Sequence, residues 1–236
     1  MSNIAIIPAR GGSKRIPGKN IKLFCGKPII AYSIEVAIQS NLFDEIMVST
    51  DDDKIAEVAK KYGAKVPFYR SNKNSNDFAT LNDVIGEVLE CYKKAGKQYN
   101  YGCCILPTAP FVTKDKLNKA LSMLIKQGFD SVRPIVKFSY PIQRAFKLLP
   151  DNKVQMFYSE HAQSRSQDLE VAYHDAGQFY WFKTDKMLSG TFKGGIIIKE
   201  IEAQDMDTIN DWEIAELKMK LISEVRSSDF ERTISE

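Results

Sequence analysis

The chain has 236 residues, of which 44% are hydrophobic and 27% are charged, which is enough for one sizeable hydrophobic core and argues against disorder. A net charge of +3 is too small to indicate a nucleic-acid or membrane-surface binder. No apolar stretch approaches membrane-spanning length, and the N-terminus lacks the pattern of a signal peptide. We therefore expect a cytoplasmic protein with neither nucleic acid nor a membrane as partner.

Apolar runs and capping residues predict alternating strands and helices through about residue 136. In chain order, these are a strand at 4–7, a helix at 28–40, a strand at 45–50, a helix at 53–62, an extended segment at 65–69, a polar loop at 72–77, a helix at 81–95, a strand at 102–106, a helix from 113 to about 128 and a strand at 131–136. This alternation predicts an α/β fold, with a mostly parallel sheet flanked by helices. The four cysteines show no C-x-x-C spacing and are predicted to be free thiols, with the adjacent Cys103 and Cys104 on opposite faces of their strand.

The pattern changes between residues 137 and 180. Strand-like pieces at 146–149 and 154–157 flank a turn at 150–153, which predicts a hairpin. We interpret residues 137–180 as a small β-rich arm inserted into a single domain that spans residues 1–236. Further strands are predicted at 178–182 and 195–198, followed by a helix from Thr208 or Ile209 to about residue 225.

A glycine-rich basic loop, residues 8–20, follows the first predicted strand. Ligands of open α/β sheets bind beyond the carboxyl ends of strands, and glycines let backbone N–H groups approach anionic oxygens closely. The loop lacks the spacing of a Walker loop or of the G-x-G-x-x-G motif. We therefore predict that it binds a triphosphate and is not merely a solvated turn. The nucleotide-binding residues expected in it are Ala9, Arg10, Gly11, Gly12, Ser13, Lys19 and Asn20, with Arg10, Lys14 and Lys19 neutralising phosphate charge.

A second candidate site is the pair Asp205 and Asp207. In extended backbone, residues two apart face the same side, and paired carboxylate oxygens suit Mg²⁺. Taken alone, these residues fit better to a polar turn before the last helix, with Asp207 favouring the N-terminus of that helix.

The loop at residues 8–20 resembles the signature loop of the acylneuraminate cytidylyltransferase family, whose members activate acidic sugars. Similarity to this family continues at residues 26–34, 48–52, 70–80, 106–110 and 205–208, and covers nearly the whole chain. The resemblance implies a Rossmann-like sheet, a homodimer held by the inserted arm, and CTP with Mg²⁺ as ligands. Together with the phosphate loop, it favours metal binding by Asp205 and Asp207 over a polar turn.

The resemblance also implies which residues meet the base and the sugar. Residues 70–80 are expected to contact cytosine, with hydrogen bonds available from Arg70, Asn74, Asp77 and Thr80. The sugar contacts it implies are Leu106, Thr108, Arg165, Gln167, Gln178 and Tyr180. One of the pair Arg165 and Gln167 is expected to meet the sugar carboxylate, whereas Phe179 and Trp181 are expected to be buried strand residues.

The expected sugar site departs from that of relatives that activate sialic acid. Leu106 stands where those relatives have glutamine, and residues 175–181 replace their Asn-Gly-Ala-x-Tyr pattern. Residues 173–181 are similar to the version found in enzymes that activate pseudaminic acid, a nine-carbon acidic sugar. The turn at 106–113 lacks the aspartate of the enzymes that activate the eight-carbon sugar Kdo.

The residues and the resemblance together predict a nucleotidyltransferase that joins CMP from CTP to pseudaminic acid and releases pyrophosphate. Arg10, Lys14, Lys19 and Asp207 are its predicted catalytic residues. N-acetylneuraminic or legionaminic acid is the alternative sugar. More distant alternatives are a dinucleotide-binding oxidoreductase, which the missing G-x-G-x-x-G disfavours, and a non-catalytic nucleotide-binding module, which the intact loop and aspartate pair disfavour.

Overall fold

Alternating strands and helices make up the first 137 residues, as the sequence predicted. The computed structural model describes residues 2–234, with side chains for residues 2–225. In chain order its elements are β1 (Asn3–Pro8), β2 (Leu23–Phe24), β3 (Lys27–Pro28), α1 (Ile29–Ser40), β4 (Glu45–Ser49), α2 (Asp53–Lys61), α3 (Leu81–Lys94), β5 (Tyr101–Ile105), α4 (Lys114–Gln127), β6 (Ser131–Lys137), β7 (Phe146–Leu148), β8 (Val154–Met156), β9 (Tyr173–Asp175), β10 (Phe179–Lys183), β11 (Lys193–Ile198) and α5 (Ile209–Ile234).

A mostly parallel sheet forms the centre of the fold, with the strand order β11-β6-β10-β5-β1-β4. Strand β1 is parallel to β4 and β5, and β11 is parallel to β6. Strand β10 runs antiparallel between β5 and β6, and β9 extends the same edge of β6 in the same direction. The predicted α/β fold is therefore confirmed, and the carboxyl ends of the five parallel strands lie at one edge of the sheet.

Apolar side chains pack on both faces of this sheet. Cys103 belongs to the cluster with α1, α2 and α4, whereas its neighbour Cys104 belongs to the cluster with α3. Both are buried free thiols, and Phe179 and Trp181 are fully buried, as predicted. A third cluster packs Trp212 of α5 with Ile16 and Met206 from the loops at the carboxyl edge, which fixes α5 beside that edge.

Side-chain caps start several helices where the sequence predicted. Asp52 accepts a hydrogen bond from the Ile55 N–H at the start of α2, and Thr113 caps α4 in the same way. Thr80 forms a capping box with Asp83 at the start of α3, and Thr208 exchanges the equivalent bonds with Asp211 before α5.

Two local predictions were wrong. Pro28 precedes α1 as its N-cap and is not its first residue. Helix α5 continues nine residues beyond the predicted end near residue 225. In the segment 65–69, which was predicted to be extended, Lys65 pairs with Met47 through a single bridge. Across the described residues, no helix is both long and apolar enough to cross a membrane.

The hairpin within residues 137–180 is confirmed as the antiparallel pair β7 and β8. Its turn contains two residues with positive φ, Asp151 at 63° and Asn152 at 58°. The end of the same range returns to the central sheet as β9 and the first residues of β10. The hairpin and the residues on either side of it expose a series of large apolar side chains, namely Tyr140, Phe146, Leu148, Val154 and Phe157.

Candidate active site

Two cavities open at the carboxyl edge of the sheet. The first, which we call the loop cavity, has a volume of about 210 Å³ and is lined by Pro8, Arg10, Ser13, Lys14, Arg15, Ile16, Lys19, Asn20, Leu106, Pro107 and Thr108. The second, the acidic cavity, has a volume of about 500 Å³ and is lined by Leu106, Val136, His174, Asp175, Ala176, Gly177, Tyr180, Glu200, Ala203, Gln204, Asp205 and Lys218. Leu106 lines both cavities, so the two lie side by side at the end of β5.

The backbone of the glycine-rich loop is held against the start of α2. The Gly11 N–H donates to Asp51 at 2.9 Å, and a Cβ atom at Gly11 would lie 2.8 Å from Oδ2 of Asp52. Only glycine therefore fits here without a shift of the loop or of the α2 cap. On the other side, the buried Asn20 donates to the Arg10 carbonyl at 2.9 Å, which closes the loop on itself.

Two carboxylates from distant parts of the chain meet the basic residues of the loop cavity. Arg10 lies 2.8 Å from Asp77, and Lys14 also pairs with Asp77. Hydrogen bonds from Lys14 and Arg10 lower the pKa of the Asp77 carboxyl.

On the other side of the loop, Arg15 pairs with Asp207, and Lys19 lies 3.8 Å from it while donating to the Met206 carbonyl at 2.7 Å. The structure thus brings the predicted phosphate-binding residues together with one predicted base contact and one predicted metal ligand.

The other predicted base contacts are engaged within the fold. Arg70 is only 8% exposed, and its guanidinium donates to the hydroxyl and carbonyl of Ser49 at the end of β4. Burial lowers the pKa of Arg70. Asn74 donates to Glu87, and Thr80 caps α3. None of these three side chains lines either cavity, and their contacts with cytosine stay a prediction.

A polar cluster forms one wall of the acidic cavity. The carboxylate of Asp175 accepts hydrogen bonds from Arg133 at 2.9 Å, from the Gly177 N–H at 2.8 Å and from the Tyr180 hydroxyl at 3.3 Å. The guanidinium of Arg133 also lies 4.9 Å from the centre of the Tyr180 ring. Burial, followed by the charge of Asp175, raises the pKa of Tyr180, so this phenol is neutral and its hydroxyl donates to the carboxylate.

The opposite wall comes from the segment between β11 and α5. Lys218 of α5 donates from Nζ to the Ala203 carbonyl at 2.8 Å, to Oε1 of Gln204 at 2.9 Å and to the Glu200 carbonyl at 3.4 Å. Sequence reasoning missed Lys218. The position of Lys218 in the sequence could have identified it. Lys218 lies three residues after Ala215 on the inward face of α5, where a lysine stands among buried apolar residues.

Some of the predicted sugar contacts line a cavity, whereas others do not. Leu106 and Tyr180 line the acidic cavity, and Thr108 lines the loop cavity. Gln178 is 2% exposed and donates to the Glu202 carbonyl behind the cavity wall. Arg165 and Gln167 lie on the exposed arm, where Arg165 pairs with Asp168 at 2.7 Å, and neither residue lines the loop cavity or the acidic cavity.

The two acidic residues of the predicted metal site lie beside different cavities. Asp205 lines the acidic cavity, and Asp207 pairs with the basic residues of the loop cavity. Met206 between them is buried in the third core cluster. In the part of the chain that the structure describes, no group of three or more His, Cys, Asp or Glu side chains is arranged to hold a metal ion.

Comparison with known proteins shows which family the chain belongs to. Residues 4–191, most of the chain, match the sequence profile of a family described as cytidylyltransferase. The chain belongs to the cytidylyltransferase family. It is therefore a nucleotidyltransferase, as the resemblance of its sequence implied, and the oxidoreductase and non-catalytic alternatives are set aside.

Individual relatives are similar to this chain over nearly its whole length. The pseudaminic acid cytidylyltransferase of Campylobacter jejuni is 44% identical over 227 residues, which cover 94% of this chain and 97% of the relative. N-acylneuraminate cytidylyltransferase A of Danio rerio is 33% identical over 220 residues, covering 91% of this chain and 50% of the relative. The solved structure of CMP:2-keto-3-deoxy-manno-octonic acid synthetase complexed with CTP has a TM-score of 0.69 at 18% identity, covering 94% of this chain and 99% of that one, and shows a shared fold.

Proposed function

We propose that this cytidylyltransferase converts CTP and pseudaminic acid to CMP-pseudaminic acid and pyrophosphate. The observation that carries the proposal is the meeting of the loop cavity and the acidic cavity at Leu106. One cavity offers the cations that a triphosphate needs, and the other has a volume within the range of about 300–1,000 Å³ typical of small-molecule sites. A group transferred from one cavity to the other would cross the end of β5, where the two cavities meet.

The choice of sugar is supported by sequence. The Campylobacter jejuni relative, 44% identical over nearly the full length of both chains, is named for pseudaminic acid. The Danio rerio relative, named for N-acylneuraminate, keeps that acid as the second candidate at 33% identity. Leu106 gives the acidic cavity an apolar side chain where sialate-activating enzymes have an amide, which favours the first candidate.

The reaction is an in-line displacement at the α-phosphorus of CTP. A bond forms between the anomeric oxygen of the sugar and phosphorus, the bond from phosphorus to the bridging oxygen breaks, pyrophosphate leaves, and the proton of the hydroxyl passes to solvent. Such chemistry depends on positioning and on neutralising phosphate charge. Arg10, Lys14 and Lys19 would exchange their present carboxylate or carbonyl partners for phosphate oxygens.

Asp205 and Asp207 suit a Mg²⁺ ion that completes its coordination with substrate. Mg²⁺ prefers hard oxygen ligands and is commonly held by one or two carboxylates together with phosphates and waters, so a larger acidic cluster is unnecessary. Asp205 lines the acidic cavity, and Asp207 would give up its pairing with Arg15 on binding the ion. When bound, Mg²⁺ would neutralise charge on the reacting phosphates.

The arm is proposed to join two copies of the chain as a homodimer. Strands β7 and β8 have three residues each and form an isolated two-stranded sheet, and such hairpins are marginal in water without further packing. Their apolar residues Phe146, Leu148 and Val154 are exposed within the single chain. A partner that covers these residues would bury the apolar surface of the hairpin. We propose that the dimer acts in the cytoplasm, where CTP is available.

The nucleotide is tested by offering pseudaminic acid and Mg²⁺ with CTP, ATP, GTP or UTP. Pyrophosphate release should be well above background only with CTP, and mass spectrometry should detect the CMP-sugar. Equal rates with all four nucleotides would contradict base selection. Absence of product from CTP with pseudaminic, legionaminic and N-acetylneuraminic acids alike would contradict the proposed reaction.

A further inference from the structure

The lining of the acidic cavity is unfavourable for an acidic sugar unless a cation receives it. Three carboxylates, those of Asp175, Glu200 and Asp205, contribute to the lining. Among the described residues that line this cavity, Lys218 is the one lysine or arginine. A carboxylate entering the cavity therefore meets repulsion from most charged groups and attraction from Lys218.

The charge of Lys218 is available to a ligand because its partners within the chain are neutral. Its Nζ donates to two backbone carbonyls and to the amide oxygen of Gln204, with the longest of the three bonds, to Glu200, at 3.4 Å. Two of the nearby carboxylates have donors of their own, since Arg133 holds Asp175 and Ser139 donates to Glu200. No carboxylate oxygen of the described side chains lies within ion-pairing distance of this ammonium group.

Lys218 is also partly withdrawn from water. Burial lowers its pKa, although the charge of Glu200 acts in the opposite direction. Attraction between opposite charges is stronger in such a setting than at an open surface, because less solvent screens it. A hydrogen bond to the ammonium group can therefore contribute substantially to binding.

The position of Lys218 matches the chemistry of the sugar. In a nonulosonic acid, the carboxyl group is attached to the anomeric carbon, whose hydroxyl is the nucleophile of the proposed reaction. The carboxylate must therefore bind close to the reacting centre. Lys218 is hydrogen-bonded to Gln204, the residue next to Asp205, and both of these residues line the acidic cavity beside Leu106.

We infer that Lys218 is a substrate-binding residue that receives the carboxylate of the acidic sugar, an assignment that rests on the proposed function. Lys218 lines the acidic cavity of its own chain, whereas the arm residue Arg165 does not line it. The guanidinium of Arg165 is exposed and pairs with Asp168. These two cations are separable by mutation.

The test compares the sugar acid with its C1 carboxamide in the wild-type enzyme and in the variants Lys218→Met, Lys218→Gln, Lys218→Arg and Lys220→Met. Lys220 is exposed on the same helix and serves as the matched control. Lys218→Met and Lys218→Gln should lower kcat/KM for the acid by about 10- to 100-fold, the range expected for a hydrogen bond to a charged group. The same variants should change kcat/KM for the carboxamide by less than about 3-fold, since the carboxamide has no charge for Lys218 to meet.

The KM for CTP should stay near the wild-type value in all four variants, and Lys218→Arg should retain most of the preference for the acid. An equal loss with acid and carboxamide would mean that Lys218 only supports the segment 200–204, and the inference would be wrong. The proposed function is judged separately, by whether the wild-type enzyme makes a CMP-sugar from pseudaminic acid. If another nonulosonic acid is the substrate, the same comparison of acid with carboxamide tests Lys218 on that sugar.

Discussion

Ion pairs between single residues join the three candidate segments of the site. Asp77 brings the polar segment 70–80 to Arg10 and Lys14, and Asp207 brings the acidic pair to Arg15 and Lys19. These pairs lie at the rim of the loop cavity and are partly exposed, so they add little to stability. Their importance is geometric, because a triphosphate in this cavity would meet the same cations.

Asp207 is the residue whose loss should separate catalysis from folding most clearly. We expect Asp207→Ala to lower kcat at least about 100-fold, the scale of losing one group that stabilises charge in a transition state. The melting temperature should fall by no more than a few degrees, because a partly exposed ion pair contributes little. Enzyme kinetics in saturating Mg²⁺ and a thermal melt provide the two readouts.

The matched control is Asp185→Ala, which removes an exposed aspartate outside both cavities. It should leave the rate unchanged. Near wild-type turnover by Asp207→Ala would remove Asp207 from the site.

At the scale of the elements, the glycine-rich loop depends on the cap of α2. Asp52 both caps that helix and lies where a side chain at Gly11 would have to go. The neighbouring Gly12 has open space around its Cβ position. Replacing either of these adjacent glycines by alanine adds the same methyl group. A comparison of the two variants therefore tests the packing of the loop.

Gly11→Ala should lower the free energy of unfolding by about 1–3 kcal/mol, the usual cost of forcing an extra methyl group into a packed position. Gly12→Ala should change it by less than about 0.5 kcal/mol. Chemical denaturation without nucleotide measures both. Equal stability of the two variants would contradict the described contact between the loop and α2.

The helix starts were predictable from sequence because their caps are local. Thr80 and Thr113 each lie within three residues of the groups they bind, so residue type and spacing suffice. Strand β9 was missed because its polar residues His174 and Asp175 form a strand only by pairing with β6. Such pairing depends on the tertiary fold.

The difference between features set by local sequence and features set by the tertiary fold also applies to the site. The loop at residues 8–20 was predictable as one continuous segment. The acidic cavity was only partly predictable, because Lys218 of α5 joins its lining, and Arg133 of β6 reaches the lining residue Asp175, only through the folding of the whole chain.

At the scale of the whole molecule, the arm gives the chain an apolar surface outside its core. Leu148 is 70% exposed and Phe146 is 59% exposed on β7. Clusters of large apolar side chains on one protruding element are typical of interaction surfaces. This is the physical basis for the proposed homodimer.

Leu148→Asp should shift the protein from dimer to monomer in sedimentation velocity experiments, because a charge buried in an apolar interface is costly. Lys147→Asp is the matched control, since adjacent strand residues face opposite sides of the hairpin. It should leave the dimer intact. A wild-type chain that sediments as a monomer at micromolar concentration would contradict the proposal.

In the proposed reaction, CTP and pseudaminic acid bind side by side in the two cavities. Pseudaminic acid differs from N-acetylneuraminic acid in stereochemistry and in its acylamino groups, so in the proposed site these groups would meet different partners among the lining residues Leu106, Asp175 and Tyr180. A site that hydrogen-bonds particular groups rejects analogues that leave its own polar groups unpaired.

The most direct measurement is kcat/KM for pseudaminic acid and for N-acetylneuraminic acid, each with saturating CTP and Mg²⁺. Pseudaminic acid should be used efficiently, and kcat/KM for N-acetylneuraminic acid should be at least about 100-fold lower, because matched hydrogen bonds are lost. A value for N-acetylneuraminic acid equal to or above that for pseudaminic acid would contradict the assignment of pseudaminic acid as the substrate.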